Sequence, residues 1–314
     1  MTTTETSNTN RGFLAAISGA FVLSFTSILI RVMVILYQMP ALILSYWREL
    51  FAAVIMAGIL AVFKPEHLKG LRHHLPILVA FGFALALMNA LWTSSVVING
   101  ASIATAMVYI SGAFSAVLGR IFLNEALTPV KIAAVVISIV GCVLVANAYD
   151  VNAWRLNFTG IVIGTLSGLA YAIYSLMGRT AGQRGINPWV SLMAAFGFAS
   201  FFMLFFNLAF GRVLPGGATN LNEMLWLGNA WAGWGILLIL AAGPTLLGFG
   251  LYNVSLKDLP ASVANLILTA EPVFTAIVAY FLLGEVLTLI QVLGGLLILT
   301  GVVLLKIGKP GKAA

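Results

Sequence analysis

Charge is what this chain has least of. Only 8% of its 314 residues are Asp, Glu, Lys or Arg, against about 25% in a soluble domain. So little polar surface excludes a soluble globular enzyme, a disordered protein and a coiled coil. Cysteine is almost absent. The single Cys142 lies inside an apolar run, so neither an intramolecular disulfide nor a Cys-x-x-Cys metal cluster is available. The three histidines, His67, His73 and His74, share one polar loop. No apolar run holds a histidine, which removes a histidine proton relay and a buried histidine metal site. It also removes the base that an intramembrane serine protease needs, although Ser167-Gly168 gives half of such a motif. HExxH and Walker A sequences are missing, so zinc-protease chemistry and direct use of ATP are excluded. The expectation is a protein that is not an enzyme and carries no cofactor or metal. Its basic residues sit mostly in loops, which makes nucleic acid an unneeded partner.

What is present is apolar sequence: 61% of the chain. It falls into ten runs of 20 to 24 residues: Phe13–Leu36, Ala41–Phe63, Leu75–Ile98, Ser102–Leu123, Val130–Tyr149, Phe158–Gly178, Pro188–Phe210, Trp231–Val254, Pro260–Leu283 and Leu287–Ile307. A bilayer core about 30 Å thick needs ~20 helical residues per crossing, whereas barrel strands are about 9–11 residues and alternate in polarity. The expected fold class is therefore an all-α integral membrane protein with ten transmembrane helices, here called spans one to ten. The polar N-terminus has no basic residue before Arg11, so a cleaved signal peptide is not expected. Twelve of the 16 Lys and Arg residues fall in the even-numbered connections and the two tails. The odd-numbered connections hold only Arg155 and Arg212, and Arg31 and Arg48 lie within runs. This bias predicts both termini in the cytoplasm. Trp154 and Trp226 then fall in the long outer loops, where interfacial rings belong.

An internal repeat organises the chain. Gly100–Val145 aligns without gaps on Pro260–Leu305 at a constant offset of 160, with twelve identities. They include Ser102/Ser262, Phe114/Phe274, Glu125/Glu285, Thr128/Thr288 and Gly141/Gly301. The offset also sets Trp92 opposite Tyr252. Residues 1–150 form one unit of five spans and residues 151–314 a second. Five is odd, so the second unit enters the membrane from the opposite face, giving an inverted repeat of the kind that builds secondary transporters.

Leu-Asn-Glu-Ala-Leu-Thr (123–128) after span four and Leu-Gly-Glu-Val-Leu-Thr (283–288) after span nine, on ten spans in two halves, resemble the EamA family of the drug/metabolite transporter superfamily. Tyr46-Trp47-Arg48-Glu49-Leu50 resembles that family's span-two arginine motif, and Glu271-Pro272 its span-nine signature. Within the family the chain is most similar to YddG-type exporters of aromatic amino acids. The resemblance implies export of aromatic or hydrophobic amino acids and related small metabolites by alternating access, by a monomer in the cell (inner) membrane. The first half departs from the second at Ser111-Gly112 and at Asn124. A facilitative uniporter and an exporter of another metabolite or drug remain open beside this reading.

Glu271 is read as the only carboxylate deep in a span, costing ~2.5–3.5 kcal/mol unless it faces a cavity or partner. It serves either as a proton or ammonium site or as a structural ligand beside Pro272. Arg48 and Glu49 are expected either to snorkel to the outer boundary or to form an outer gate pair. Glu125 and Glu285, with Thr128 and Thr288 as N-caps, read as structural. Met88, Asn89 and Trp92 of span three, Met107 and Tyr109 of span four, Tyr171 and Tyr174 of span six, and Tyr252 and Asn253 of span eight are the candidate cavity wall. With no Arg or Lys expected at the midplane, that wall would offer a carboxylate only neutral donors. Gly243, Pro244 and Pro272 are candidate hinges.

Overall fold

The computed structural model describes residues 3–68, 71–99, 101–149, 158–214, 216–284 and 287–307. Among them there is no strand, and helix follows helix as the apolar runs dictate. Span one is Thr3–Tyr37, span two Ala41–Phe63, span three Leu75–Asn99, span five Pro129–Val145, span six Phe158–Gln183, span seven Pro188–Phe210 and span ten Leu289–Ile307. The remaining three are interrupted. Span four is Ala101–Tyr109 then Ser111–Leu123, and span nine is Ala261–Leu268 then Glu271–Leu283. Span eight runs from Trp231–Leu240 through a π-turn, Ala241–Leu247, into Gly248–Asp258. Among the described residues nine helices have the length and apolarity to cross a bilayer, and span five is a shorter apolar helix. Trp154, Arg155, Glu285, Lys69, Lys309 and Lys312 lie outside the described residues.

Span five stops before the expected Tyr149. Asn147 takes the left-handed region at φ 52°, and the Asn147 and Ala148 amides turn back to Leu144 and Val143. That satisfies the last carbonyls and closes the helix.

Several features of spans one to five recur in spans six to ten. Span four ends before Asn124 at φ 51°, and span nine before Gly284 at φ 68°. Thr128 caps span five by accepting from the Lys131 amide, and Thr288 caps span ten by accepting from the Gln291 amide. The interruptions at Ile110 and Ala270 also stand 160 residues apart. In span nine Pro272 has no N–H for the Leu268 carbonyl, which breaks the helix. Span four makes the same break without proline, and the Ser111 hydroxyl instead reaches across to Asn265. Packing partners exchange in the same way. Span three packs on six as eight packs on one, four on six as nine on one, while two meets seven, four meets nine and five meets ten.

Spans five and ten meet backbone to backbone. A Cβ on Gly294 would lie 2.8 Å from the Gly141 carbonyl, and one on Gly301 would lie 3.1 Å from the Ala134 carbonyl. The repeat interchanges these two contacts. Large apolar side chains remain exposed along most spans, such as Phe63, Phe122, Phe281 and Leu289. A bilayer is the solvent that accepts such a surface.

Candidate functional site

Both described ends of the chain lie at one end of the bundle, here the terminal face. The opposite end, the far face, carries the 211–230 loop. Its short helix holds Glu223 against the Thr219 amide and hydroxyl, which keeps that carboxylate below the usual range. Three indoles fasten this loop: Trp47 donates to the Met224 carbonyl, Trp226 to Tyr37 and Trp234 to Gly228.

A cavity of about 110 Å³ lies between the halves, with its lining running from mid-bundle toward the far face. Of the candidate wall residues, Met88, Asn89, Trp92, Tyr109 and Tyr171 line it. Spans three, four and six bring them there because each of these helices turns a polar or aromatic stripe inward. Arg48 and Glu271 line it as well. Sequence reasoning missed Leu23, Thr26, Ser27 and Ile30 of span one, Thr105, Val108 and Phe249. Thr26-Ser27, a polar pair amid apolar residues, was the available signal in span one.

Arg48 corrects an expectation. It does not snorkel: it is 5% exposed, and its Nη2 donates to Asn89 Oδ1 at 3.0 Å. The other end of the Asn89 amide donates through Nδ2 to Glu49 Oε1. Span two is therefore packed so that Arg48 and Glu49 both turn inward, onto span three. Arg48 supplies the cavity with a cation, so the wall is not limited to neutral donors. Nor is Glu271 the only buried carboxylate, since Glu49 is fully buried. Glu271 opens the second segment of span nine and lines the cavity together with Tyr109.

The other four wall candidates sit elsewhere. Met107 faces span six, where it packs on Gly164 and its sulfur accepts from Thr165 at 3.8 Å. Tyr174, Tyr252 and Asn253 lie on the terminal side of the cavity and form its floor. Asn253 Nδ2 donates to the Tyr174 hydroxyl at 2.8 Å, and the Tyr252 and Ser175 hydroxyls are 2.6 Å apart. Asn265 donates to Ser175 and accepts from Ser111, each at 2.9 Å. The floor is thus tied across spans four, six, eight and nine. Tyr174 stacks on Tyr252 and packs on Phe81. Trp92 and Tyr252 correspond by offset but do not face each other across one cavity, because one is wall and the other floor. Gly243 and Pro244 lie in the π-turn of span eight, and Pro272 at the break of span nine.

Nearer the terminal face, Glu125 accepts from the Ala261 amide at 2.6 Å and from Ser262. The first half thereby caps the N-terminus of span nine, where a carboxylate is favoured. Lys131 completes the cluster, 3.6 Å from Glu125 and donating to Ser262 at 2.9 Å. Arg179 donates to the Leu256 and Lys257 carbonyls, and Arg11 pairs with Asp258 at 3.6 Å.

Comparison with known proteins gives this geometry a family. The model of the EamA-like transporter family matches twice, over residues 10–147 and 158–307, once for each half. An uncharacterized transporter of Archaeoglobus fulgidus is 30% identical over 184 residues, which span 59% of each chain. The threonine/homoserine exporter RhtA of Escherichia coli is 28% identical over 75% of this chain and 72% of its own. YyaM of Bacillus subtilis, an uncharacterized transporter, is 25% identical over 82% and 81%. A crystal structure 15% identical in sequence superposes with a TM-score of 0.73 over 96% of this chain and 98% of that one, a likeness of fold. The chain belongs to the EamA-like transporter family, and is a membrane transporter rather than an enzyme.

Proposed function

We propose that the protein is a secondary transporter that exports amino acids by alternating access. Residues 1–150 and 151–314 are the two moving units, and the cavity at their junction holds the substrate. The observation that carries this reading is a cavity between the halves that presents both Arg48 and Glu271, since intramembrane charge marks a substrate or ion path. The likeness to threonine/homoserine exporters supports the amino-acid class. The basic bias puts the terminal face in the cytoplasm of the cell (inner) membrane. The hydrogen-bonded floor is then the cytoplasmic gate in its closed state. The protein works as a monomer, since each chain carries both halves of the cavity.

Two side-chain preferences compete. Trp92, Tyr109, Tyr171 and Phe249 offer aromatic walls that suit apolar or aromatic side chains. The volume argues for small ones: a water needs about 10–15 Å³ of such space, so 110 Å³ admits roughly seven to eleven water-sized groups. A cavity of that size suits a threonine-sized amino acid better than an indole-bearing one, which is also the direction in which the RhtA likeness points. We therefore favour small amino acids. Purified protein in liposomes should take up labelled threonine faster than labelled tryptophan, with and without a pH gradient. Tryptophan ahead of threonine would reverse the preference, and transport of neither would remove the amino-acid assignment.

A further inference from the structure

The cavity holds two opposite charges that the two halves supply separately. Arg48 comes from span two in the first half and Glu271 from span nine in the second, and both line the cavity. Arg48 is held in place by a neighbour. Asn89 clips Arg48 by one guanidinium nitrogen and ties the clip to Glu49. Tyr109 lines the same cavity as Glu271. The clip leaves the guanidinium unfinished: Arg48 Nε is buried and has no hydrogen-bond partner among the described residues. A buried charged donor without an acceptor is costly, and a planar guanidinium is built to take a carboxylate.

We propose that Arg48 takes the carboxylate and Glu271 the ammonium of an α-amino acid, so that the cavity selects zwitterions over neutral, anionic or cationic metabolites. This rests on the amino-acid reading above and adds to it the polarity of binding. The rest of the lining fits the third substituent. Leu23, Ile30, Met88, Val108 and Phe249 form the apolar remainder of the wall, with the Trp92 ring beside them, and can receive a side chain. A molecule with one charge would answer only one of the two protein charges in a low-dielectric site. A zwitterion satisfies both, and in doing so it bridges the two halves of the transporter. Loading would therefore draw spans two and nine together, whereas a half-matching solute would grip one half alone. Asn89 and Glu49 act here as positioning residues, because Asn89 bonds to Arg48 and Glu49 in turn holds Asn89.

The test uses the purified full-length protein in detergent and four probes in calorimetric titrations. They are L-threonine, L-threoninamide with no carboxylate, 1-amino-2-propanol with no carboxyl group at all, and N-acetyl-L-threonine with no ammonium. The native protein should bind threonine at least about tenfold more tightly than any of the other three, the factor expected for one lost bond to a charged group. Glu271→Gln should erase the penalty on N-acetyl-threonine and keep that on threoninamide. Arg48→Gln combined with Glu49→Gln, which avoids stranding a buried carboxylate, should do the reverse. Should that pair fail to fold, Arg48→Lys keeps the charge and loses the planar fork. It should weaken threonine binding while leaving 1-amino-2-propanol binding unchanged. Unaltered penalties in folded variants, or equal binding of all four probes by the native protein, would overturn the proposal while leaving amino-acid transport standing. Binding of no amino acid by the native protein would overturn both.

Discussion

Asn265 ties spans four, six and eight together on the terminal side of the cavity. It accepts from Ser111, donates to Ser175 and lies 3.4 Å from the Tyr252 hydroxyl. Its removal leaves those hydroxyls, all buried, short of a partner. Asn265→Ala should therefore lower unfolding stability by ~1–3 kcal/mol, read as a fall in the thermal midpoint in detergent. An unchanged midpoint would mean that the floor is held by ring packing alone. The same residues show what a sequence can and cannot say at this scale. Tyr174, Tyr252 and Asn253 stand out as aromatic and amide residues inside spans, and they do point into the bundle. Nothing in helical spacing tells which side of the cavity they reach, because one turn along the axis moves a residue from wall to floor. Arg48 misleads for a related reason. A long cation near a span end snorkels by default, and only the partner on span three, 41 positions away in the chain, turns it inward.

At the scale of elements, span ends were more legible than span interiors. Thr128, Thr288 and the shared Glu-x-Leu-Thr announce caps in local sequence, and the caps form. The break at Ala270 is announced by Pro272, whereas the matching break at Ile110 has no local signal beyond its offset. Glu125 is the instructive case. Its structural role was readable, but its target, the start of span nine 136 residues on, was not. Spans five and ten give a sharper test of packing. A side chain at Gly294 meets the Gly141 carbonyl at 2.8 Å and the Leu144 Cβ at 2.7 Å, and backbone cannot step aside. Gly294→Val should cost ~1–3 kcal/mol of stability and reduce the folded fraction in size-exclusion chromatography. Gly243→Ala should do neither, because a Cβ there meets no atom within 4 Å. Equal behaviour of the two variants would deny that the five–ten contact is tight.

For the whole molecule, the basic bias makes a claim about direction. A cysteine introduced at Asn222, exposed on the far face, should react with an impermeant maleimide added to intact cells, with Cys142 buried as an internal control. One introduced at His73, exposed on the terminal face, should react only after permeabilisation. The opposite pattern would invert the orientation and make the hydrogen-bonded floor an external gate.

The π-turn in span eight has a consequence for the order of events. Its seven residues, Ala241–Leu247, correspond by the 160 offset to 81–87 in span three, and that stretch is ordinary α-helix. A π-turn spreads more residues over each turn, so it is slack wound into a helix whose counterpart has none. Slack can be drawn out or passed along a helix without breaking its ends. The two copies of the same element therefore differ in compliance, although the chain places them in equivalent positions. Span eight carries Tyr252 and Asn253, two of the floor residues, just beyond that slack on the terminal side. The floor should yield by span eight flexing while span three swings as a stiff rod. A transporter built from matched halves would then run its two half-cycles on unlike springs, one soft and one rigid, and the inward and outward strokes need not be equally fast.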